Sequence, residues 1–95
     1  ADVLAYRQRL EAHLARYRIY PQSAREAGRE GVVMLHFVMM KDGRVIQAWV
    51  GESSGVNDID REAVAAVFRA QPLPALPQGW PTRLNVELPV TFKLG

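Results

Sequence analysis

Two histidines and two adjacent serines are the first side chains to consider as metal ligands or nucleophiles in this chain. His13 falls in a helical pattern and His36 in a run of strand-forming residues, and neither has a cysteine or a paired carboxylate at ligand spacing. This context is typical of hydrogen-bonded or solvated histidines, so no metal site is predicted. Ser53 and Ser54 lack the G-x-S-x-G context of a nucleophile elbow.

A cluster of acidic residues, Asp58, Asp60 and Glu62, has the look of a catalytic acid group. Its position at the start of a predicted helix favours a simpler role, the stabilisation of the helix dipole. The glycines form neither a Walker A loop nor a dinucleotide fingerprint. The absence of cysteine excludes thiolate catalysis, disulfides and iron–sulfur ligation. We therefore expect a protein that is not an enzyme and needs no cofactor.

Length and charge further limit the classes of protein to which this chain could belong. The chain has 95 residues, of which 48% are hydrophobic, and this suits one small globular domain. No run of about 18 apolar residues could span a membrane, and the start, Ala1-Asp2-Val3, does not have the pattern of a signal peptide. Twelve basic and ten acidic residues give a net charge of only +2, which argues against nucleic-acid binding.

The first part of the chain predicts two helices. Val3, Leu10, Leu14 and Tyr17 recur at helical spacing, which indicates a helix over residues 3–17. This helix must end before Tyr20-Pro21, because the residue before a proline is pushed to extended geometry. Pro21 then suits the first turn of a short helix from Gln22 to Ala27.

The middle of the chain predicts a hairpin followed by a helix. Asp42-Gly43 separates two runs rich in strand-forming residues, so strands are expected at about 32–40 and 44–52. Asn57 or Asp58 is the expected N-cap of a helix that runs to about Arg69.

The last part of the chain predicts a stiff connector and an edge strand. Four prolines between positions 72 and 81 exclude a helix or a central strand there. From Leu84 to Leu94, apolar residues alternate with polar ones, which is typical of a half-buried strand. Pro89 cannot donate to a ladder, so this strand is expected at an edge of the sheet with that N–H side open.

These elements predict an α+β fold, a small two-layer sandwich. Its three-stranded antiparallel sheet has the order 2-1-3, with helices on one face and an extra N-terminal helix. We divide the chain into residues 1–17, an N-terminal helix or the end of a linker, and residues 18–95, the domain proper.

The order of the motifs resembles the C-terminal domain of the TonB family, the periplasmic energy transducers of Gram-negative bacteria. The resemblance covers about residues 18–94 and lies in Tyr20-Pro21, Glu30-Gly31, Asp42-Gly43-Arg44-Val45, Asp60-Arg61-Glu62-Ala63-Val64, Gln71-Pro72-Leu73-Pro74 and Leu88-Pro89-Val90-Thr91-Phe92-Lys93-Leu94. No single motif is specific, but their order and spacing together are.

The resemblance implies a binding module. Proteins of this family are anchored in the inner membrane by an N-terminal helix, cross the periplasm with a proline-rich linker and work with the ExbB–ExbD complex. Their C-terminal domain binds the "TonB box" of outer-membrane receptors as an added β-strand, which drives uptake of siderophores, haem or similar ligands. The anchor and linker are absent from this chain, so we expect an excised periplasmic domain that does not itself insert into a membrane.

The resemblance also implies which residues bind the partner. They are the segment around Tyr-Pro and the last strand, namely Arg18, Ile19, Tyr20, Pro21, Leu84, Asn85, Val86, Glu87, Leu88, Pro89, Val90 and Thr91. The best-known members carry a glutamine-containing segment before Tyr-Pro, where this chain has Arg18-Ile19. Arg18 either pairs with acidic residues of a receptor box or is a solvated arginine.

The open face of the sheet is expected to be unusually apolar. If Val33, Leu35, Phe37 and Met39 face the helices, the opposite face carries Val32, Met34, His36, Val38, Met40 and Trp49. The N-terminal helix, a second copy in a homodimer or an ExbD-like partner could cover it.

Two other functions stay open at this point. One is a TolA-like domain that serves envelope integrity, and the other is an RRM-like nucleic-acid-binding module.

Overall fold

Six secondary-structure elements follow one another in the computed structural model, which describes residues 3–95. They are α1 (Val3–Tyr17), α2 (Gln22–Glu26), β1 (Gly31–Met40), β2 (Val45–Glu52), α3 (Asn57–Arg69) and β3 (Arg83–Phe92). Every predicted element is present, with ends that differ by at most two residues. No helix in this part of the chain is long and apolar enough to cross a membrane.

The sheet has the predicted topology. β1 lies in the centre and pairs antiparallel with β2 on one side and with β3 on the other, so the strand order is β2-β1-β3. The β1–β3 register runs without interruption from Gly31 opposite Phe92 to Met40 opposite Arg83. The predicted edge position of the last strand is therefore confirmed.

The core forms on the inner face of β1. Val33, Leu35, Phe37 and Met39 are all fully buried, as the alternation predicts. They belong to one hydrophobic cluster with α3, which contributes Ile59, Ala63 and Val67, and with β3, which contributes Leu88, Val90 and Phe92. A helix on one face of a half-buried antiparallel sheet is the two-layer arrangement that this pattern requires.

Helix α1 packs on the same face of the sheet as α3. Its buried residues Tyr6, Leu10 and Leu14 join the cluster that contains the inner face of β1. The Tyr6 hydroxyl donates to the carbonyl oxygen of Pro74 at 2.6 Å, and the ring meets Trp80 edge-on with centroids 5.3 Å apart. The expectation that this helix covers the open face is therefore wrong, because its apolar stripe is already buried on the other side.

Helix α3 begins differently from the prediction. Val56 occupies the N-cap position and gives no side-chain cap, while Asn57 is already helical. The Asp60 carboxylate instead accepts hydrogen bonds from the Ser54 N–H at 2.9 Å and the Ser54 hydroxyl at 2.7 Å. Burial raises the pKa of Asp60, but the hydrogen bonds from Ser53 and Ser54 outweigh it and hold that pKa below its usual value. The acidic residue thus orders the preceding loop.

The proline-rich connector is fixed to the β1–β2 turn. Leu73 and Leu76 are buried in the core, and their N–H groups donate to the carbonyl oxygens of Gly43 and Lys41 at 2.9 and 3.0 Å. Gly43 has a φ of +96°, and a Cβ there would overlap the carbonyl oxygen of Leu73. The turn therefore needs a glycine for its backbone conformation and for the close approach of the connector.

The first prediction separates these two demands on Gly43. Gly55 has a similar φ of +88°, but a Cβ there would meet no atom within 4 Å. We expect Gly55→Ala to lower the free energy of unfolding by about 1–2 kcal/mol, the cost of a left-handed alanine. Gly43→Ala should lower it by about 1–3 kcal/mol more, because the connector must also move. Urea unfolding measures both variants, and equal losses would contradict the close approach.

The second prediction concerns the buried phenol of Tyr6. Burial raises the pKa of Tyr6 to about 12, although the nearby Arg9 guanidinium opposes this. A raised pKa means that the phenol adds stability below pH 10, which is lost as the pH rises towards 12. Tyr6→Phe should therefore flatten the loss of stability between pH 10 and 12, and at pH 7 it should cost about 0.5–1.5 kcal/mol for the lost hydrogen bond. Thermal unfolding across this pH range tests the expectation, and parallel pH profiles for the two proteins would refute it.

Candidate partner-binding site

The outer edge of β3 exposes unpaired backbone groups. The Lys41 N–H donates to the Thr82 carbonyl oxygen at 2.9 Å, and the β1–β3 register continues from this pair without a shift. In an antiparallel ladder, alternate residues turn both backbone groups towards the partner. The backbone N–H and C=O groups of the even-numbered residues of β3 therefore bond to β1. Those of the odd-numbered residues point outwards from the free edge of the sheet. We call these the outward residues: Arg83, Asn85, Glu87, Pro89 and Thr91.

The opposite edge of the sheet is less regular. The pairing of β2 with β1 shifts register twice, between Met34 and Leu35 and between Val38 and Met39. Such bulges bend and twist a strand and disturb the even spacing that a further strand needs. The straight register of β3 makes it the better template for strand addition.

The segment around Tyr20-Pro21 lies beside the end of β3. The Arg18 guanidinium donates to the carbonyl oxygen of Thr91 and sits 5.3 Å from the centre of the Phe92 ring. The Tyr20 ring meets Phe92 edge-on at 5.6 Å, and its hydroxyl donates to the carbonyl oxygen of Arg29. In this structure the Arg18 guanidinium is thus bound to the end of β3 while it remains partly exposed.

Helix α3 holds the same segment from the other side. The Glu62 carboxylate accepts from the Ile19 N–H at 2.7 Å and from Arg69 at 2.9 Å. The hydrogen bond from Arg69 to Glu62 raises the pKa of the guanidinium further above its usual range. The Ile19 side chain remains exposed. Glu62 therefore positions the segment, which accounts for one member of the acidic cluster.

A second acidic residue of the cluster is also engaged. The Asp58 carboxylate accepts from Ser23 and from Arg61, and these hydrogen bonds hold its pKa below the usual value. With Asp60 bound to the preceding loop, each of the three carboxylates has a structural partner. Across residues 3–95, no group of three or more histidine or acidic side chains could hold a metal ion.

A groove runs between α1 and the outer edge of β3. Its volume is about 440 Å³, and most of its walls are apolar. We name it the α1–β3 groove; its apolar walls include Tyr6, Leu10, Trp80, Leu84, Val86 and Leu88. The sequence prediction included the three from β3 but missed those from α1 and the connector. The apolar spacing in residues 3–17 predicts a helix, but it does not indicate which strand that helix faces.

The open face of the sheet carries an aromatic and ionic cluster. The His36 ring stacks on Trp49 with centroids 5.4 Å apart, and its Nε2 lies 2.6 Å from the Glu87 carboxylate. On this face Val32 and Trp49 are exposed, whereas Val38 is buried. The cluster links all three strands through side chains, and it holds the side chain of the outward residue Glu87 in place.

The predicted site residues form two groups in the structure. Arg18 to Pro21 and the outward residues Pro89 and Thr91 meet at one end of β3, while Asn85 and Glu87 lie at the middle of its free edge. Leu88 and Val90 are buried in the core, and Leu84 and Val86 are half-buried beside the groove. The site is therefore an edge of backbone groups with a groove beneath it.

Comparisons with known proteins agree with this geometry. Residues 16–94 match the family described as "Gram-negative bacterial TonB protein C-terminal". Protein TonB of Pasteurella multocida is 34% identical over 93 residues, a match that covers 98% of this chain and 36% of that protein. Protein TonB of Pseudomonas putida is 35% identical over 80 residues, covering 84% of this chain and 33% of that protein. The chain thus spans about a third of the length of these relatives.

Solved structures share the fold. The C-terminal domain of Helicobacter pylori TonB (residues 179–285) superposes with a TM-score of 0.81 at 22% identity, covering 96% of this chain and 82% of that one. The C-terminal domain of HasB superposes with a TM-score of 0.61 at 33% identity, covering 94% of this chain and 70% of that one. These comparisons do not favour the TolA-like or RRM-like alternatives, and TonB is a family of transducers rather than of enzymes. The chain therefore belongs to the TonB C-terminal family and is a TonB-type periplasmic domain.

Proposed function

We propose that this domain couples inner-membrane proton-motive energy to outer-membrane receptors by binding the receptor's TonB box as a strand added to β3. The coupling drives uptake of a siderophore, haem or a similar ligand. The observation that carries the proposal is the free edge of β3, whose outward residues have no strand beside them in the described part of the chain. An unpaired edge is a liability that proteins usually blunt, so a long regular one favours a partner.

The mode of binding follows from the chemistry of an edge strand. Main-chain hydrogen bonds supply affinity without reading sequence, and side-chain pockets beside the strand supply selectivity. A domain that must bind several receptors benefits when affinity comes from the main chain and selectivity from side-chain pockets. In this chain the two contributions are spatially distinct, because the outward backbone groups of β3 lie above the α1–β3 groove.

The proposal places the site at β3 and at the segment that flanks its end. Arg18 to Pro21 lie where a strand added along the whole of β3 would finish, and Arg18 already binds the Thr91 carbonyl oxygen there. The partner-binding residues are therefore Arg18, Ile19, Tyr20, Pro21 and the stretch from Leu84 to Thr91. A receptor segment would compete with Arg18 for that carbonyl group or stop short of it.

The remaining parts of the proposed mechanism lie outside this chain. Membership of the family implies that an N-terminal anchor tethers the protein to the inner membrane. It also implies that the ExbB–ExbD complex acts through that anchor. A homodimer that pairs through the same β3 edge would compete with the receptor, because an edge accepts only one further strand.

The third prediction tests strand addition directly. The ¹⁵N-labelled domain is titrated with a synthetic peptide that carries a receptor TonB box. We expect amide shifts concentrated in β3, within Leu84–Thr91, because new hydrogen bonds form at its edge. The neighbouring segment Arg18–Tyr20 shifts as well if the added strand reaches Thr91. A scrambled peptide of the same composition is the control.

Two outcomes would contradict the proposal. One is the absence of any shift at millimolar peptide in a domain that sedimentation shows to be monomeric. The other is an equal response to the scrambled peptide, which would indicate non-specific association.

A further inference from the structure

The outward residues of β3 are not equivalent as hydrogen-bonding partners. Arg83, Asn85 and Glu87 each present an N–H and a C=O to the free edge. Pro89 has no N–H to donate, and the C=O of Thr91 already accepts from Arg18. The second half of the edge therefore lacks a donor at one outward residue and an acceptor at the next.

This difference limits the ladder that an incoming strand can form. A strand beside Arg83–Leu88 finds three successive outward residues with both groups free, which is enough for a short regular ladder in either direction. A strand that continues past Glu87 meets Pro89, and then it must displace Arg18 from Thr91 to continue. The complete backbone template is therefore confined to the first half of β3.

The groove lies beside that same half. The β3 residues among its walls run from Leu84 to Leu88, and Tyr6, Leu10 and Trp80 face them across the gap. Alternate side chains of a strand point to opposite faces. One set of side chains on an added strand would enter the groove, and the other set would lie on the open face next to Asn85 and Glu87.

The walls of the groove define the side chains that it accepts. They are mainly aliphatic and aromatic, and its volume of about 440 Å³ falls in the range of sites that bury small ligands. An apolar side chain is stabilised on entering it, whereas a charged one loses its hydration and meets charged partners only in Arg7 and Glu87 at the rim. The other set of side chains on the added strand lies next to the Asn85 amide and the Glu87 carboxylate. Polar side chains are therefore favoured at these positions of the partner.

We propose that the incoming segment pairs only with Arg83–Leu88, ends before Pro89, and places alternate apolar side chains in the α1–β3 groove. This inference rests on the proposed function and adds the register and the chemical pattern of the partner: an extended segment that is apolar on one face and polar on the other. A second copy of this chain is the competing occupant. Its own Leu84 and Val86 already pack against its own core, so it would fill the groove poorly.

The fourth prediction tests the register. Asn85→Pro removes one outward N–H while leaving the β1–β3 ladder intact, just as Pro89 does in the natural chain. We expect it to weaken binding of the TonB-box peptide on the order of tenfold or more. Ala48→Pro is the matched control, because Ala48 lies opposite Phe37 on the free edge of β2 and also points away from β1. It should leave the affinity unchanged, and thermal unfolding checks that both variants fold.

Amide hydrogen exchange in the wild-type domain gives the same test without a mutation. Bound peptide should protect the amides of Asn85 and Glu87 and leave that of Thr91 unprotected. Binding with protection of Thr91, or binding that Asn85→Pro does not weaken, would overturn the inference while leaving strand addition in place. No binding to the wild-type domain would instead refute the proposed function on which it rests.

The fifth prediction tests the groove with two peptide variants. Each replaces the apolar residues at every second position of the TonB-box peptide by serine, one variant for each face of the extended segment. One variant should lose on the order of tenfold affinity or more per side chain, and the other should lose little. Equal losses would overturn the groove assignment. Sedimentation of the domain alone distinguishes self-pairing, because a dimer whose β3 amides are protected without peptide would make a second copy the occupant.

Discussion

The burial of one face of β1 is the constraint on which the rest of the structure depends. Val33, Leu35, Phe37 and Met39 are fully buried, and each layer of the fold contacts this stripe directly or through its neighbours. In a domain of this size, little other apolar area is available to offset the loss of chain entropy. Helices α1 and α3 must therefore share one face of the sheet, and the open face is left to a cluster of side chains.

One consequence is that the two edges of β3 have different roles in stability and in binding. Its even-numbered residues supply the ladder to β1 and side chains to the core, so they cannot be changed freely. Its odd-numbered residues take no part in that ladder, and their backbone is available to another chain. The same strand can thus be essential for stability and still offer backbone groups to another chain, because the two roles use alternate residues.

The sequence predicted the elements well because their signals are local. The alternation from Leu84 onwards, Asp42-Gly43 between two strand-forming runs and the proline before α2 each act within a few residues, and the strand order followed from directions alone. The interpretation of Pro89 as an edge residue also depended on a local property, the missing donor. Contacts between distant parts of the chain were harder to predict from the sequence.

Three features were not revealed by these local signals, and two of them depend on contacts between distant parts of the chain. The side of the sheet that α1 covers is decided by Tyr6 against Pro74 and Trp80, which no periodicity reveals. The start of α3 is ordered by Asp60 and Ser54 rather than by an N-cap. Arg18 binds a carbonyl group 73 residues further along the chain. The division of the chain between residues 17 and 18 stays a prediction, although α1 shares the core.

The position of β3 at the end of the element order has a consequence for how the domain is made. Its pairing with β1 joins residues as far apart as Gly31 and Phe92. Contacts this distant along the chain slow folding, because a long loop must close before they form. During synthesis or export, the central strand has one edge unpaired until the last element of the domain emerges. The nascent chain is therefore exposed to aggregation through β1 during that interval, and a ribosome stalled before residue 83 would leave the most apolar strand of the domain without its second partner.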